Sequence, residues 1–272
     1  MDEKMKKLRK AQLKIAVEIK RICEKHNIRY FLDAGSMLGA VRHGGYIPWD
    51  DDIDFGMTDT EYRRFLKIAP RELGDDFFID NYAVNKENAL VFTKVRLKNT
   101  VYIERKGNEK ARHNEIFVDI FPYYFVSDKP LQRKREAYEM LFLSQAILSR
   151  SGYKVWKGDR WIKRIKFIPS DIIGRILTKK HLHKMVGKLY CKHTNTENLC
   201  IHDGSSYRYW YFPRKIFDDY QDILFEGIAF KIPKQYDLFL TTAYGDYMQI
   251  PPEEKRVTHQ ITRLEVDDRY LD

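Results

Sequence analysis

Only three cysteines, Cys23, Cys191 and Cys200, are scattered through the 272 residues. That is too few for a disulfide framework, which excludes the small, disulfide-stapled secreted class. No run approaches the roughly 18 apolar residues that a membrane-spanning helix needs. The chain opens MDEKMKKLRK, with no apolar leader. The expected location is therefore the cytoplasm, with membrane contact only at the surface. Internal repeats, low-complexity linkers and clear domain boundaries are also missing.

What is present is a folding composition and a charge. Hydrophobic residues make up 43% and aromatics 14%, enough for a sizeable core rather than a disordered chain. Forty-nine Lys and Arg against 39 Asp and Glu leave a net charge of +10. Such a surface favours anionic partners: nucleotides, nucleic acid or anionic lipid. A merely soluble basic enzyme would look the same.

Helical periodicity appears first over residues 3–25, where Leu8, Ala11, Ile15, Ile19 and Ile22 recur at spacings of three and four. A helix stop follows at His26-Asn27. IRYFLD reads as a largely buried strand broken by Gly35-Ser36, and MLGAVRHGG as a short helix. DIDFGM reads as a second strand. Thr58 or Asp59 caps a helix through Tyr62, Phe65, Leu66 and Ala69 to Pro70. FFIDNYAV, ALVFTKVRL, TVYIERK and EIFVDIFPYYFV have strand composition, and Lys129 to Arg150 is helical.

Against the positive background stands YIPWDDDIDFGM, residues 46–57, with Asp50, Asp51, Asp52 and Asp54 between aromatic flanks. On a strand, side chains two apart share a face. Asp52 and Asp54 then point together, Asp50 has the same parity, and Asp51 faces away, toward a cap or an Arg. Neighbouring carboxylates raise each other's pKa unless a cation intervenes. Mg²⁺, or Mn²⁺, accepts one or two carboxylates plus substrate phosphates. A surface turn without a ligand remains the alternative for D-x-D by itself. Two features favour the metal. Gly35 and Ser36 follow a strand at a helix start, where free N–H groups, the dipole and the Ser hydroxyl suit a phosphate. Asp119 sits alone in the apolar run IFVDIF, where burial is costly without a partner; it is a strand-edge residue or a third metal ligand.

LDAGSMLGAVRHGGYIPWDDDIDFGM resembles the signature of LicD-type phosphotransferases, which are related to the fukutins. TKVRLKNTVYIE, IFVDIFP and YGDYMQIPPEEKRVTHQ resemble three further family segments, in order, so the likeness runs from about residue 28 to 260. It is weak over roughly 130–215. Glu115 also departs from it, standing where a Gly or small residue is expected. The resemblance implies an α/β, nucleotidyltransferase-like fold: one domain over residues 1–272, with a core of about 26–126 plus 216–262 and a helical, basic insertion of about 129–192. It implies transfer of a phospho-alcohol such as phosphocholine from a CDP-alcohol donor to a glycan hydroxyl, in lipopolysaccharide or teichoic acid modification, with the acceptor free or lipid-linked. On that reading the metal rests on Asp52, Asp54 and Asp119, with Asp50 as a further ligand. Gly35 and Ser36 hold a phosphate. Arg42, Lys94 and Arg96 neutralise charge on the leaving CMP, and Asp119 doubles as general base. Arg256 and His259 touch donor or acceptor.

Two other readings stay open: a nucleotidyltransferase moving NMP from an NTP to a protein, nucleic acid or small molecule, and a non-catalytic, membrane-associated adaptor in glycan assembly. Residues 154–192 carry twelve Lys and Arg against Asp159 and Asp171, with Trp156, Trp161, Ile162, Ile165, Phe167 and Ile168 between them. That tract is a solvated face or a patch for peripheral contact with the inner membrane face; no recognised motif supports specific nucleic acid binding. Cys191, His193, Cys200 and His202 form two Cys-x-His pairs whose spacing fits no common zinc motif.

Overall fold

The computed structural model describes residues 3–103, 113–153, 161–201, 210–256 and 261–270, with only the backbone described over 161–166. In chain order its helices are α1 Glu3–Lys25, α2 Ala34–His43, α3 Asp59–Glu72, α4 Pro130–Arg150, α5 Trp161–Ile176, α6 Lys179–Tyr190 and α7 Tyr236–Tyr244. The strands are β1 Phe31–Leu32, β2 Asp54–Thr58, β3 Phe77–Asp80, β4 Thr93–Leu97, β5 Val101–Ile103, β6 Phe117–Val126, β7 Asn198–Ile201, β8 Phe212–Pro213, β9 Tyr220–Phe225, β10 Ile228–Pro233 and β11 Arg263–Glu265. This is a mixed α/β fold, consistent with the expected nucleotidyltransferase-like class. Two compact units divide the chain. One comprises Met1–Ile79, Lys94–Ile120 and Ile216–Asp272, the other Asp80–Thr93 and Phe121–Lys215.

In the first unit the α1 stripe is fully buried, as its spacing predicts. Strands run in the order β1-β2-β6-β4-β3. β1 pairs antiparallel with β2, Phe31 opposite Gly56 and Leu32 opposite Phe55. Phe31 packs against Phe217, Tyr220 and Phe239, and Phe55 against Tyr30 and Phe230. Such aromatic contacts bury a large apolar area in one place. β9 and β10 form an antiparallel hairpin, and β11 pairs with β5.

Several strands are shorter than their composition suggests. FFIDNYAV keeps strand form only through Asp80, because the Asn81 side chain takes the Ala83 N–H at 2.8 Å. Asn88 does the same to Leu90 at 2.7 Å, delaying β4 to Thr93. Asn side chains that bond their own backbone compete with the ladder in this way. α3 runs two residues past Pro70 to Glu72; Pro70 lacks the N–H that would bond the Leu66 carbonyl, and the helix ends within a turn of it.

In the second unit α4, α5 and α6 gather around Tyr124, Met140, Leu143, Ile147, Leu182 and Val186. Tyr124 stacks on Tyr190 at 3.8 Å. Gly174 lets α5 approach α4: a Cβ there would stand 2.6 Å from the Ala146 carbonyl oxygen. β7 pairs antiparallel with Tyr123–Val126 of β6, and β8 pairs with β7. Among the described residues no helix is long and apolar enough to cross a membrane.

Candidate functional site

The acidic segment is set by α1. Arg9 is buried and donates from its guanidinium to the carbonyls of Ile47 (3.0 Å), Pro48 (3.3 Å) and Asp50 (2.7 Å). Its guanidinium carbon lies 4.4 Å from the Tyr46 ring centroid. Gln12 donates to the Asp51 carbonyl at 2.8 Å and accepts from the Tyr46 hydroxyl at 3.1 Å. With those carbonyls taken by side chains, residues 47–53 do not join a ladder, and β2 begins at Asp54 rather than Asp52.

This corrects the strand parity. The carboxylates of Asp50, Asp51 and Asp52 each place an oxygen within 4.8 Å of the other two. Asp51 therefore does not face away. Its carboxylate accepts from the Tyr102 hydroxyl at 2.8 Å. Parity holds only where a strand exists.

The start of α2 closes one side. Asp33 caps the helix, its carboxylate accepting from the Ala34 N–H at 2.7 Å. Gly35 lies beside Asp50: a Cβ added there would stand 2.7 Å from Asp50 Oδ2. Ser36 is buried, and its hydroxyl oxygen accepts from the Asp54 N–H at 2.9 Å. That bond joins α2 to the first residue of β2 and leaves the hydroxyl proton available to donate. Asp119, on β6, donates its N–H to the Ile53 carbonyl at 3.1 Å. Its carboxylate takes Lys94 Nζ at 2.7 and 2.9 Å, and Lys94 Nζ sits 3.2 Å from the Phe117 ring centroid.

These acids share one field. Burial pushes the Asp52 carboxyl well above the usual carboxylate range, and Asp50, Asp51 and Asp119 add to it. Burial likewise raises Asp54, with Asp52, Asp119, Asp33 and Asp50 contributing. Tyr244 keeps 37% of its surface exposed. Desolvation nonetheless holds its phenol well above its ordinary value, with Asp33, Asp54, Asp50 and Asp52 acting on it. An all-carboxylate donor set that repels itself this strongly fits a hard divalent cation, which prefers oxygen ligands.

The predicted basic residues divide. Lys94 meets the cluster through Asp119. Arg42 donates to the carbonyls of Tyr247 (2.7 Å) and Gln249 (3.4 Å), anchoring the segment after α7 to α2. Arg256 donates to the Pro251 carbonyl at 3.1 Å, and its guanidinium lies 4.4 Å from the Trp49 ring centroid, next to Asp50 in sequence. Arg96 turns to the Glu115 carbonyl at 2.9 Å and to the Phe117 ring. His259 lies outside the described residues. Sequence reasoning missed Arg9, Gln12, Tyr102 and the part of Tyr244. Gln12 had a signal: it occupies the stripe position between Leu8 and Ile15, where an apolar residue is expected.

The Cys-x-His pairs are not gathered into a site among the described residues. His193 bonds Glu136 at 3.0 Å, Cys200 is buried in β7, Cys191 is exposed, and His202 lies outside the described residues.

The family model for the LicD/FKTN/FKRP nucleotidyltransferase domain matches residues 27–140. The lipopolysaccharide cholinephosphotransferase LicD of Haemophilus influenzae is 30% identical over 247 residues, 88% of this chain and 89% of that protein. The ribitol 5-phosphate transferase FKRP of Mus musculus is 30% identical over 103 residues, 38% of this chain and 18% of that protein.

Proposed function

This chain belongs to the LicD family, and from that membership we propose that it moves a phospho-alcohol, phosphocholine or a similar one, from a CDP-alcohol to a hydroxyl of a cell-surface glycan or its lipid-linked precursor. The reaction takes place in the cytoplasm or at the inner face of the membrane. The observation that carries the reading is the convergence of the Asp50, Asp51 and Asp52 carboxylates, with Asp54 and Asp119 in the same electrostatic field. Phosphoryl transfer asks mainly for positioning and charge neutralisation, and a site of self-repelling acids is built to bring a cation to a pyrophosphate.

Asp52, Asp54 and Asp119, with Asp50 beside them, would hold Mg²⁺ or Mn²⁺. The ion supplies Lewis-acid neutralisation of the pyrophosphate. The remaining work belongs to the chain. The acceptor oxygen bonds to the distal phosphorus, the pyrophosphate P–O bond breaks, and CMP leaves. Gly35 and Ser36 hold a phosphate at the start of α2, where the helix dipole favours negative charge. Asp119 takes the acceptor's proton. That releases Lys94 Nζ, now 2.7 Å from Asp119, toward the charge developing on CMP. Arg256, on the Trp49 face, binds donor or acceptor. Arg42 and Arg96 act through position, fixing the segment after α7 and the Glu115 loop.

Labelled CDP-choline, CDP-ribitol and CDP-glycerol, compared with labelled NTPs on a glycan acceptor, test the reading. Label transfer from a CDP-alcohol with release of CMP supports it; NMP incorporation from an NTP sinks it. Calorimetry gives a readout independent of turnover: Mn²⁺ binds the wild type and fails to bind Asp52→Asn.

A further inference from the structure

α5 carries two faces of different chemistry. Ser170 and Gly174 are buried, and Ile173, with Leu177 just past the helix end, joins the apolar cluster of Ala146, Ile147 and Leu182. On another face Ile168, Ile172 and Ile176 stand at i, i+4 and i+8, exposed to 47%, 51% and 73%. Isoleucines exposed singly need no explanation, but three in register on one helix face form an apolar stripe left in water.

The surroundings of the stripe are positive. The Arg175 side chain is largely exposed. Arg150, the last residue of α4, donates to the Arg175 carbonyl at 3.2 Å. Lys180 follows, exposed, at the start of α6. The acid on α5, Asp171, is already engaged: it accepts from the Ser149 hydroxyl and pairs with Arg175 at 3.3 Å. The tract 154–192 as a whole carries twelve Lys and Arg against two Asp.

We infer that the Ile168–Ile172–Ile176 face of α5 is an in-plane docking surface for an anionic lipid bilayer. An apolar stripe set among exposed positive charges that outnumber the acids beside them suits the boundary between acyl chains and anionic headgroups. A purely apolar protein partner would leave the Arg and Lys groups without counter-charge. No helix among the described residues spans a membrane, so contact through a helix lying on the surface is the form available to them. The inference extends the proposed function, since a lipid-linked acceptor is met at a membrane, but its test needs no turnover.

The full chain is sedimented with vesicles of phosphatidylcholine alone and of phosphatidylcholine mixed equally with phosphatidylglycerol. Partition onto the anionic vesicles should exceed partition onto the neutral ones by about tenfold or more and should fall with salt. The triple substitution Ile168→Gln, Ile172→Gln, Ile176→Gln should lose about tenfold or more of that partition, with the circular dichroism spectrum unchanged, because the three side chains are exposed. A second variant, Arg175→Gln with Lys180→Gln, should weaken binding to anionic vesicles alone by about tenfold. Equal partition onto both vesicle types, no partition at all, or wild-type partition by both variants would overturn the inference. So would a dimer that the triple variant dissolves in the absence of vesicle binding.

Discussion

Lys94 Nζ lies 2.7 Å from Asp119 Oδ1 and 2.9 Å from Oδ2, with both side chains nearly buried. Lys94 thus offsets part of the charge at Asp119, while Asp119 still acts on Asp52 and Asp54, whose carboxyls burial and neighbouring acids hold well above their ordinary range.

Breaking that pair should be expensive. Lys94→Met strands a buried carboxylate and should cost about 3–5 kcal/mol. Asp119→Asn in the same chain should recover at least half of it, since the stranded charge is gone. Denaturant unfolding of the two single variants and the double variant measures the coupling; a Lys94→Met cost near zero would show that the pair is solvent-screened.

Removing one repelling acid should act in the opposite direction. Asp52→Asn or Asp54→Asn should abolish transfer yet raise the stability of the metal-free protein, by about 2–4 °C in Tm per kcal/mol of relief. Both carboxyls bind protons more tightly folded than unfolded. Their contribution is therefore complete below the ordinary carboxylate value near 3.9 and is lost as pH rises above it. Melting with a chelator across that range should show the wild type losing ground that the Asn variants keep. Normal turnover by either variant would end the metal reading.

Two glycines of α2 separate site effects from fold effects. A Cβ at Gly35 meets the Asp50 carboxylate at 2.7 Å, whereas a Cβ at Gly39 runs into the Gly45 backbone carbonyl. A carboxylate can swing aside; backbone cannot. Gly35→Ala should lower Mn²⁺ affinity by about tenfold at a stability cost under about 1 kcal/mol, and Gly39→Ala should cost about 2–3 kcal/mol. Calorimetry and denaturant melts on both variants check the split. Unchanged affinity in Gly35→Ala would separate Asp50 from the metal.

In the second unit His183 stacks on Tyr82 at 3.6 Å. Burial, then Lys179 and Lys86, hold its pKa down at about 4. A depressed histidine stabilises the fold above its unfolded value near 6.5 and withdraws that stability as pH falls from 6.5 toward 4, by roughly 2–3 kcal/mol. His183→Phe keeps the ring stack and should flatten the stability profile in that window. An unaltered profile would place the acid sensitivity elsewhere.

Much of the site was legible because its members lie close in sequence or alone in apolar runs. Asp119 drew notice as a charge in IFVDIF, and Gly35 and Ser36 as a break between strand and helix. What escaped came from far along the chain. Arg9 and Gln12 bond carbonyls about 40 residues away, and Tyr102 reaches Asp51 over 51 residues. No local period encodes such contacts. Asp51 was misplaced for the same reason: parity assumes a strand, and the α1 side chains had taken the backbone groups that a strand would need.

By itself the sequence determined the α/β class, the α1 stripe and the family, because periodicity and a contiguous signature are local properties. It also placed a dense acidic run in a basic chain. Only the tertiary structure decided which way those acids turn: Arg9 and Gln12 pull residues 47–51 out of strand geometry, so Asp50, Asp51 and Asp52 converge rather than alternate. Side-chain direction in an irregular segment is set by whatever distant group satisfies its backbone, and that partner is known only once the chain has folded.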